Sequence, residues 1–204
     1  MTLSEFDNEI RKDHNVVCGC DEAGRGPLAG DVFAAAVIFD KDTVIEGIND
    51  SKKLTAKKRE ELFDEIIEKA VDFSIQTATV EEIEDINILN AAMLAMKRAV
   101  EDMDTKPDVC LIDGNKTPEG LECPAIAVVK GDAKSQAVAA ASILAKVARD
   151  RYMEQMAEQY PEYRFEKHKG YGTKLHYQMI DQYGPCGIHR MSFLKKYYAK
   201  KNGH

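Results

Sequence analysis

The chain has 204 residues, of which 44% are hydrophobic and 31% are charged, and its formal net charge is −7. This length suits one domain with at most a small appendage, and the composition excludes a disordered or fibrous protein. No apolar run approaches the roughly 20 residues of a membrane-spanning helix. The acidic start of the chain is unlike a secretory signal, so we expect no contact with a membrane.

Strand-like and helix-like segments alternate along the chain. Strands are predicted at residues 16–20, 31–39, 71–80, 109–112 and 125–129. Helices are predicted from an N-cap at Thr55 to about Ala70, over 90–103 and over 133–159. This interleaving predicts an α/β domain over residues 1–159, with a mixed or parallel sheet flanked by helices. Residues 160–204 are expected to form a small helical C-terminal appendage.

The cysteines predict a reducing compartment. Their number, five, is odd, and without a secretory signal the simplest interpretation is a cytoplasmic protein with free thiols. Cys18 and Cys20 share one face of the first predicted strand, where we expect buried and unreactive thiols.

The acidic average hides a basic C-terminal segment. Residues 160–204 contain nine Lys or Arg, three acidic residues and seven of the eight tyrosines. Cations interleaved with aromatic rings favour binding to a phosphate backbone with its sugars and bases. On composition alone, a solvated helix with core tyrosines remains the alternative.

Three predicted strands end in acidic residues: Asp21 and Glu22, then Asp113, then Asp132. Sites in α/β sheets form beyond the strand ends. Four converging carboxylates repel one another unless they bind a cation, and oxygen ligands favour Mg²⁺ or Mn²⁺. Two such ions, about 3.5–4 Å apart, promote phosphodiester cleavage. An N-cap of the following helix is the alternative for Asp132.

The segment after the first strand is a glycine-rich turn. Gly24, Gly26 and Ala29 match a GxGxxA pattern, but Pro27 and the strand that follows argue against a dinucleotide site. A turn of bare backbone allows close approach of a ligand, and Arg25 would add a charge near a phosphate. A tight hairpin-like connection is the alternative.

Seven segments together resemble the signature of the ribonuclease HII family. They read, in chain order, CDEAGRGPLAG at 20–30, DSKKL at 50–54, LIDGN at 111–115, KGDAKS at 130–135, AASILAKV at 140–147, HKGYGT at 168–173, and IHR with SF at 188–193. They span nearly the whole chain. The related ribonuclease HIII differs in the glycine turn and carries an additional N-terminal domain.

The resemblance implies a ribonuclease H-like fold and a metal-dependent endoribonuclease. Such an enzyme hydrolyses the RNA strand of RNA–DNA hybrids and nicks duplex DNA 5′ of a single embedded ribonucleotide, leaving 3′-hydroxyl and 5′-phosphate ends. Asp21, Glu22, Asp113 and Asp132 would hold two Mg²⁺ or Mn²⁺ ions, with Asp21 bridging them. Asp150 is the rival for the fourth position. Neighbouring strand residues face opposite ways, so we expect the strand to end or bulge at Asp21 and Glu22.

The resemblance also assigns substrate contacts. The backbone of Gly24, Arg25 and Gly26 would read the ribose 2′-hydroxyl, the group that distinguishes RNA from DNA. Tyr171 would contact this hydroxyl and stack on the next sugar, the alternative being a buried structural tyrosine. The phosphate contacts would be Lys52, Lys53, Ser142 and Lys146, although each lysine can equally be an ordinary solvated charge. Ser142 and Lys146 are four residues apart and share a helix face.

Two other classes of function remain open on the sequence. One is a different two-metal nuclease of the same fold class, such as a structure-selective DNA nuclease. The other is a nucleic-acid-binding protein with an inactive site. His168 and His189 lack matching metal partners and are interpreted as phosphate-facing or structural. We expect the protein to act as a monomer.

Overall fold

The computed structural model describes residues 1–48 and 54–202. Its centre is a five-stranded mixed sheet with the strand order β3-β2-β1-β4-β5. The strands are β1 Val17–Ala23, β2 Val32–Ile38, β3 Asp72–Ala78, β4 Val109–Asp113 and β5 Ala125–Val128. β1 pairs antiparallel with β2 and parallel with β4, so the first strand lies in the middle of the sheet.

Seven α-helices accompany the sheet in the described ranges. They are α1 Leu3–Ile10, α2 Ala56–Lys69, α3 Val80–Glu101, α4 Gln136–Gln159, α5 Phe165–His168, α6 Lys174–Tyr183 and α7 Met191–Asn202. None of these helices is both long enough and apolar enough to cross a bilayer.

The two faces of β1 pack against different helices because side chains alternate along a strand. Cys18 and Cys20 belong to a core that includes Met96 of α3. Gly19 faces α4 instead, and a Cβ atom added there would lie 2.2 Å from the carbonyl carbon of Ala137. The cysteines are buried and free, as predicted, and burial raises the pKa of both thiols.

Most predicted elements are confirmed to within a few residues, including the N-cap at Thr55, whose side chain accepts a hydrogen bond from the Lys58 amide. The predicted strand to residue 80 is too long, since Thr79 already caps α3. The prediction of a helix over 90–103 missed the first part of α3. Asn87, at φ 67°, interrupts this helix. The interruption breaks the helical spacing of apolar residues, so the first two turns were not predicted.

The start of α4 corrects a second boundary. The helix was predicted from residue 133, but residues Gly131–Ala133 form a 3-10 turn that contains Asp132. The N-cap of α4 is Ser135, whose hydroxyl accepts a hydrogen bond from the Val138 amide. Asp132 therefore does not serve as the N-cap of α4.

The segment after residue 160 is helical, and aromatic rings build much of its packing. Tyr163 is buried and stacks on Phe165, with ring centroids 5.4 Å apart. Tyr177 packs against Tyr197 at 4.6 Å. Several tyrosines thus pack in the core of this segment, in line with the alternative interpretation, while Tyr171 is exposed.

Candidate active site

Two carboxylates lie side by side at the ends of parallel strands. The register of β1 and β4 closes with Cys20 opposite Ile112, and Asp21 and Asp113 are the next residue on each strand. Parallel neighbours in register point to the same side of a sheet. Both carboxylates therefore project from the sheet face that α4 covers.

The strand β1 does not end at Cys20, and this corrects the prediction. Pairing with β2 continues through Asp21, Glu22 and Ala23, because the antiparallel partner extends beyond the point where β4 stops. Asp21 and Glu22 consequently leave a regular strand on opposite faces, yet both residues line the same cavity. The expected strand end or bulge between them is absent from this described stretch.

Asp21 occupies an electrostatically unfavourable position. Its side chain is only 5% exposed. Burial raises the pKa of its carboxyl well above the usual value, and the neighbouring carboxylates of Glu22 and Asp113 raise it further. Hydrogen bonds from the Ser142 side chain and the Glu22 amide act in the opposite direction. A bound cation would relieve the repulsion among these three acids.

The other acids are held by nearby donors. Arg25 Nη1 lies 3.2 Å from Glu22 Oε1, and the Gly131 amide donates to Asp113 Oδ1 at 2.6 Å. That amide belongs to the residue before Asp132, which is itself buried. Within residues 1–48 and 54–202, no group of three or more His, Cys, Asp or Glu is already close enough to hold a metal ion. The carboxylate chemistry nevertheless fits a hard divalent cation.

A cavity of about 240 Å³ opens beside these acids. It is lined by the end of β1, the glycine turn, the end of β4, α4 and the loop before α6. The lining residues are Asp21, Glu22, Ala23, Gly24, Arg25, Gly26, Asp113, Ser142, Lys146 and Tyr171. All but Ala23 are residues that sequence reasoning selected, and the fold brings them together.

One selected residue of the described ranges, Asp132, is not among that lining. Asp132 lies in the 3-10 turn. It directly follows Gly131, whose backbone amide is hydrogen-bonded to the Asp113 carboxylate. Lys52 and Lys53 lie outside the described residues, and their predicted phosphate contacts stay predictions. Asp150 is bound to Lys146 by an ion pair of 2.6 Å along α4, in keeping with its interpretation as a group outside the metal site.

Tyr171 forms the rim of the cavity. Its side chain is 43% exposed, which excludes the buried structural alternative. Lys146 Nζ lies 5.9 Å from the ring centre and the Arg149 guanidinium lies 5.8 Å from it. An exposed ring flanked by cations is suited to stacking on a sugar or base beside a phosphate.

The glycine turn is both a connection and a wall of the cavity. Residues 24–31 link the antiparallel strands β1 and β2, as the hairpin-like alternative required. At the same time Gly24, Arg25 and Gly26 line the cavity. Gly24 has φ +100°, and a Cβ atom there would lie 2.2 Å from Arg149 Nε. Only glycine fits this position, on both counts.

Sequence reasoning missed the groups that lie beneath this wall. Arg149 and Arg190 are fully buried, although arginines in sequence are most often surface residues. His168, His176 and His189 are also buried and pack together, with His176 Nε2 and His189 Nε2 3.0 Å apart. His168 and His189 are therefore structural rather than phosphate-facing. The signal that could have revealed Arg190 was its place in the IHR segment.

Comparison with known proteins agrees with this geometry. The family model described as Ribonuclease HII matches residues 18–196. The ribonuclease HII of Caldicellulosiruptor saccharolyticus is 54% identical over 189 residues, which cover 93% of this chain and 92% of that protein.

Solved structures share the fold. The ribonuclease H2 of Pyrococcus horikoshii matches with a TM-score of 0.75 and 29% identity, over 93% of this chain and all of that one. A Bst ribonuclease HIII solved in complex with Mn²⁺ shares the fold at a TM-score of 0.66 and 17% identity, over 83% of this chain and 63% of that one. Given the family match over most of the sequence, this chain belongs to the ribonuclease HII family, whose members are ribonuclease H enzymes that hydrolyse RNA in RNA–DNA hybrids.

Proposed function

We propose that this ribonuclease H nicks duplex DNA on the 5′ side of a single embedded ribonucleotide, as well as cutting longer hybrids. The observation that carries the proposal is the cavity in which the glycine turn faces the acids at the ends of β1 and β4. An element that can contact one sugar thus lines the same cavity as the candidate metal ligands. Recognition of one 2′-hydroxyl suffices to select one ribonucleotide in DNA.

We propose Asp21, Glu22, Asp113 and Asp132 as the residues that hold two divalent ions, Mg²⁺ or Mn²⁺. The closeness of Asp21, Glu22 and Asp113 supports the assignment, since burial and the other two carboxylates raise the pKa of Asp21. When bound, such ions activate water and stabilise the leaving oxygen in phosphodiester hydrolysis, which leaves 3′-hydroxyl and 5′-phosphate ends.

The remaining cavity residues would place the substrate. Tyr171 offers an exposed ring for the sugar that follows the cut, and Ser142 and Lys146 share the face of α4 that borders the cavity. Lys146 would contribute one phosphate contact, and Lys52 and Lys53 would contribute others. Residues 160–204 would act as a substrate-binding segment packed on the catalytic domain of residues 1–159.

This activity places the protein in ribonucleotide removal and in primer removal during DNA replication and repair. We further propose a monomer, because described residues of one chain line the cavity. We propose a cytoplasmic location because the described cysteines are free. Sedimentation of the protein alone and with substrate tests the monomer, and a dimer in both states would contradict it.

The decisive experiment uses a duplex with one ribonucleotide, a matched all-DNA duplex, and Mg²⁺ or Mn²⁺. We expect a nick 5′ of the ribonucleotide and no cut in DNA alone. Asp21→Asn should abolish nicking while duplex binding largely survives. Absence of nicking by intact wild type with either metal refutes the proposal, and equal cutting of the all-DNA duplex favours a DNA nuclease.

A further inference from the structure

Arg190, just before α7, is bound to the carbonyl groups of the glycine turn. Its side chain is fully buried. Nη2 donates to the carbonyl of Gly24 at 2.7 Å, and Nη1 donates to those of Arg25 at 3.1 Å and Pro27 at 3.0 Å. Nε and Nη2 both donate to the Gly30 carbonyl, at 2.8 and 2.6 Å. One guanidinium thus holds four carbonyls of the same short turn.

The charge of Arg190 is balanced by these carbonyls rather than by a salt bridge. In the part of the chain that the structure describes, Arg190 forms no ion pair with a carboxylate. Burial and the nearby Arg149 lower its pKa to about 9, so the side chain is charged at neutral pH. A planar guanidinium has five N–H donors in a fixed fork, whereas lysine has three donors at a single point.

This arrangement fixes the direction of two backbone amides. In a trans peptide the N–H points opposite to the C=O of the same unit. The carbonyls of Gly24 and Arg25 point at Arg190, so the amides of Arg25 and Gly26 point away from it. Neither amide donates to another described residue, and both residues line the cavity. Two adjacent donors without a partner among the described residues therefore lie at the wall of the cavity.

A second buried arginine closes the other side of the turn. Arg149 donates to the carbonyl of Ala29 at 3.1 Å and to that of Asp31 at 3.2 Å. Its side chain also packs against Gly24, where no Cβ would fit. The turn is thus held between two guanidinium groups. Reversing the direction of its backbone amides would require breaking hydrogen bonds to these groups.

We propose that Arg190 is a positioning residue for ribonucleotide recognition: it orients the turn so that the amides of Arg25 and Gly26 meet the 2′-hydroxyl group. The inference rests on the proposed single-ribonucleotide activity. Arg190 itself is not among the residues that line the cavity. Without the Arg190 guanidinium, the turn keeps its glycines, but the direction of the Arg25 and Gly26 amides is no longer fixed.

The test compares Arg190→Lys with wild type, both carrying Asp21→Asn, by their affinities for a single-ribonucleotide duplex and for the matched all-DNA duplex. We expect the ratio of the two affinities to fall about tenfold, the factor that one hydrogen bond of ordinary strength carries. Affinity for the all-DNA duplex should stay unchanged. In proteins that retain Asp21, Arg190→Lys should lower kcat/KM on the ribonucleotide duplex by a similar factor.

The matched control is Arg98→Lys. Arg98 is bound to Glu82 by two hydrogen bonds of 2.9 and 2.6 Å and to the carbonyl of Thr77 on β3, outside the turn. It should lose stability without any change in the affinity ratio. A merely structural role of Arg190 would lower both affinities equally, because it would reduce the folded fraction. A folded Arg190→Lys protein with an unchanged ratio overturns the proposal.

A second measurement needs only the Asp21→Asn protein, in case Arg190→Lys fails to fold. The backbone amide resonances of Arg25 and Gly26 should shift when the ribonucleotide duplex is added, and shift less with all-DNA. Identical shifts with both duplexes contradict the inference. If wild type with Mg²⁺ or Mn²⁺ nicks neither duplex, the proposed function fails instead, so the two failures are distinguishable.

Discussion

Gly19 in the central strand lies against Ala137 in the first turn of α4, so closely that a Cβ atom on Gly19 would meet the Ala137 carbonyl carbon at 2.2 Å. This contact sets the spacing between sheet and helix two residues before Asp21. The same helix carries Ser142 and Lys146 to the cavity. The missing side chain therefore allows α4 to lie close against the strand that carries Asp21.

Gly19→Ala should strongly destabilise the protein, since backbone atoms of α4 cannot rotate away as a side chain can. We expect a loss of about 3 kcal/mol or more in the free energy of unfolding, measured by urea titration. Gly187→Ala, where the nearest atom would be the Tyr160 hydroxyl at 3.4 Å, should change it by less than about 1 kcal/mol. Equal stabilities for the two variants would show that α4 can move away from the strand at little cost in free energy.

The fourth acid can be identified by two matched substitutions. Asp132→Asn should reduce cleavage with Mg²⁺ by about a hundredfold or more, if its carboxylate holds an ion. Asp150→Asn should change cleavage by only a few-fold, because Asp150 is bound to Lys146 and lies outside the cavity lining. Single-turnover rates on the ribonucleotide duplex provide the measurement. The reverse order of effects would transfer the role to Asp150.

Tyr171→Ala should reduce kcat/KM for the ribonucleotide duplex about tenfold to a hundredfold, since stacking on an aromatic ring contributes roughly 1–3 kcal/mol. Tyr171→Phe keeps the ring and should retain more activity than the alanine variant. Neither change should alter the melting temperature much, because the side chain is 43% exposed. Unfolding of the alanine variant would instead indicate a structural role.

Binding should weaken as salt rises, with a modest slope if phosphate contacts are few. Lys146→Gln should lower the slope of log affinity against log salt by about 1, the value for one lost phosphate contact. Lys57→Gln changes an exposed lysine of α2 outside the cavity lining and serves as the control. A slope that Lys146→Gln leaves unchanged would remove this lysine from the phosphate contacts.

The buried histidines should make the fold sensitive to acid. Burial lowers the pKa values of His176 and His189 to about 4, from a usual value of 6.5. The unfolded chain therefore takes up protons first, so the stabilising contribution is complete above about pH 6.5 and is lost as the pH falls through about 4. Each shift corresponds to roughly 3 kcal/mol.

Urea unfolding between pH 7.5 and pH 4.5 measures this loss. His176→Asn should flatten the dependence of stability on pH, whereas His14→Gln, outside the cluster, should leave it unchanged. A wild-type protein whose stability does not fall across this range would show that the imidazoles are protonated in the native state.

The sequence predicted the site better than the packing beneath it. Strand ends and glycine turns leave local signals, and nine of the ten residues that line the cavity were selected from them. The course of β1 through Asp21 and Glu22 could not be predicted, because it depends on pairing with β2 beyond the last residue of β4. Arg149 and Arg190 escaped detection for a similar reason: the carbonyls that compensate their burial come from distant parts of the chain.

On the proposal made for Arg190, this residue also sets how late in synthesis the glycine turn can become ordered. Gly24 and Arg190, whose hydrogen bond orients the turn, are 166 positions apart. On the ribosome the four acids emerge long before residue 190. A chain that stops before that residue contains the four acids but lacks the guanidinium that binds the carbonyls of the turn. The turn can therefore adopt its bound geometry only after nearly the whole chain has been made.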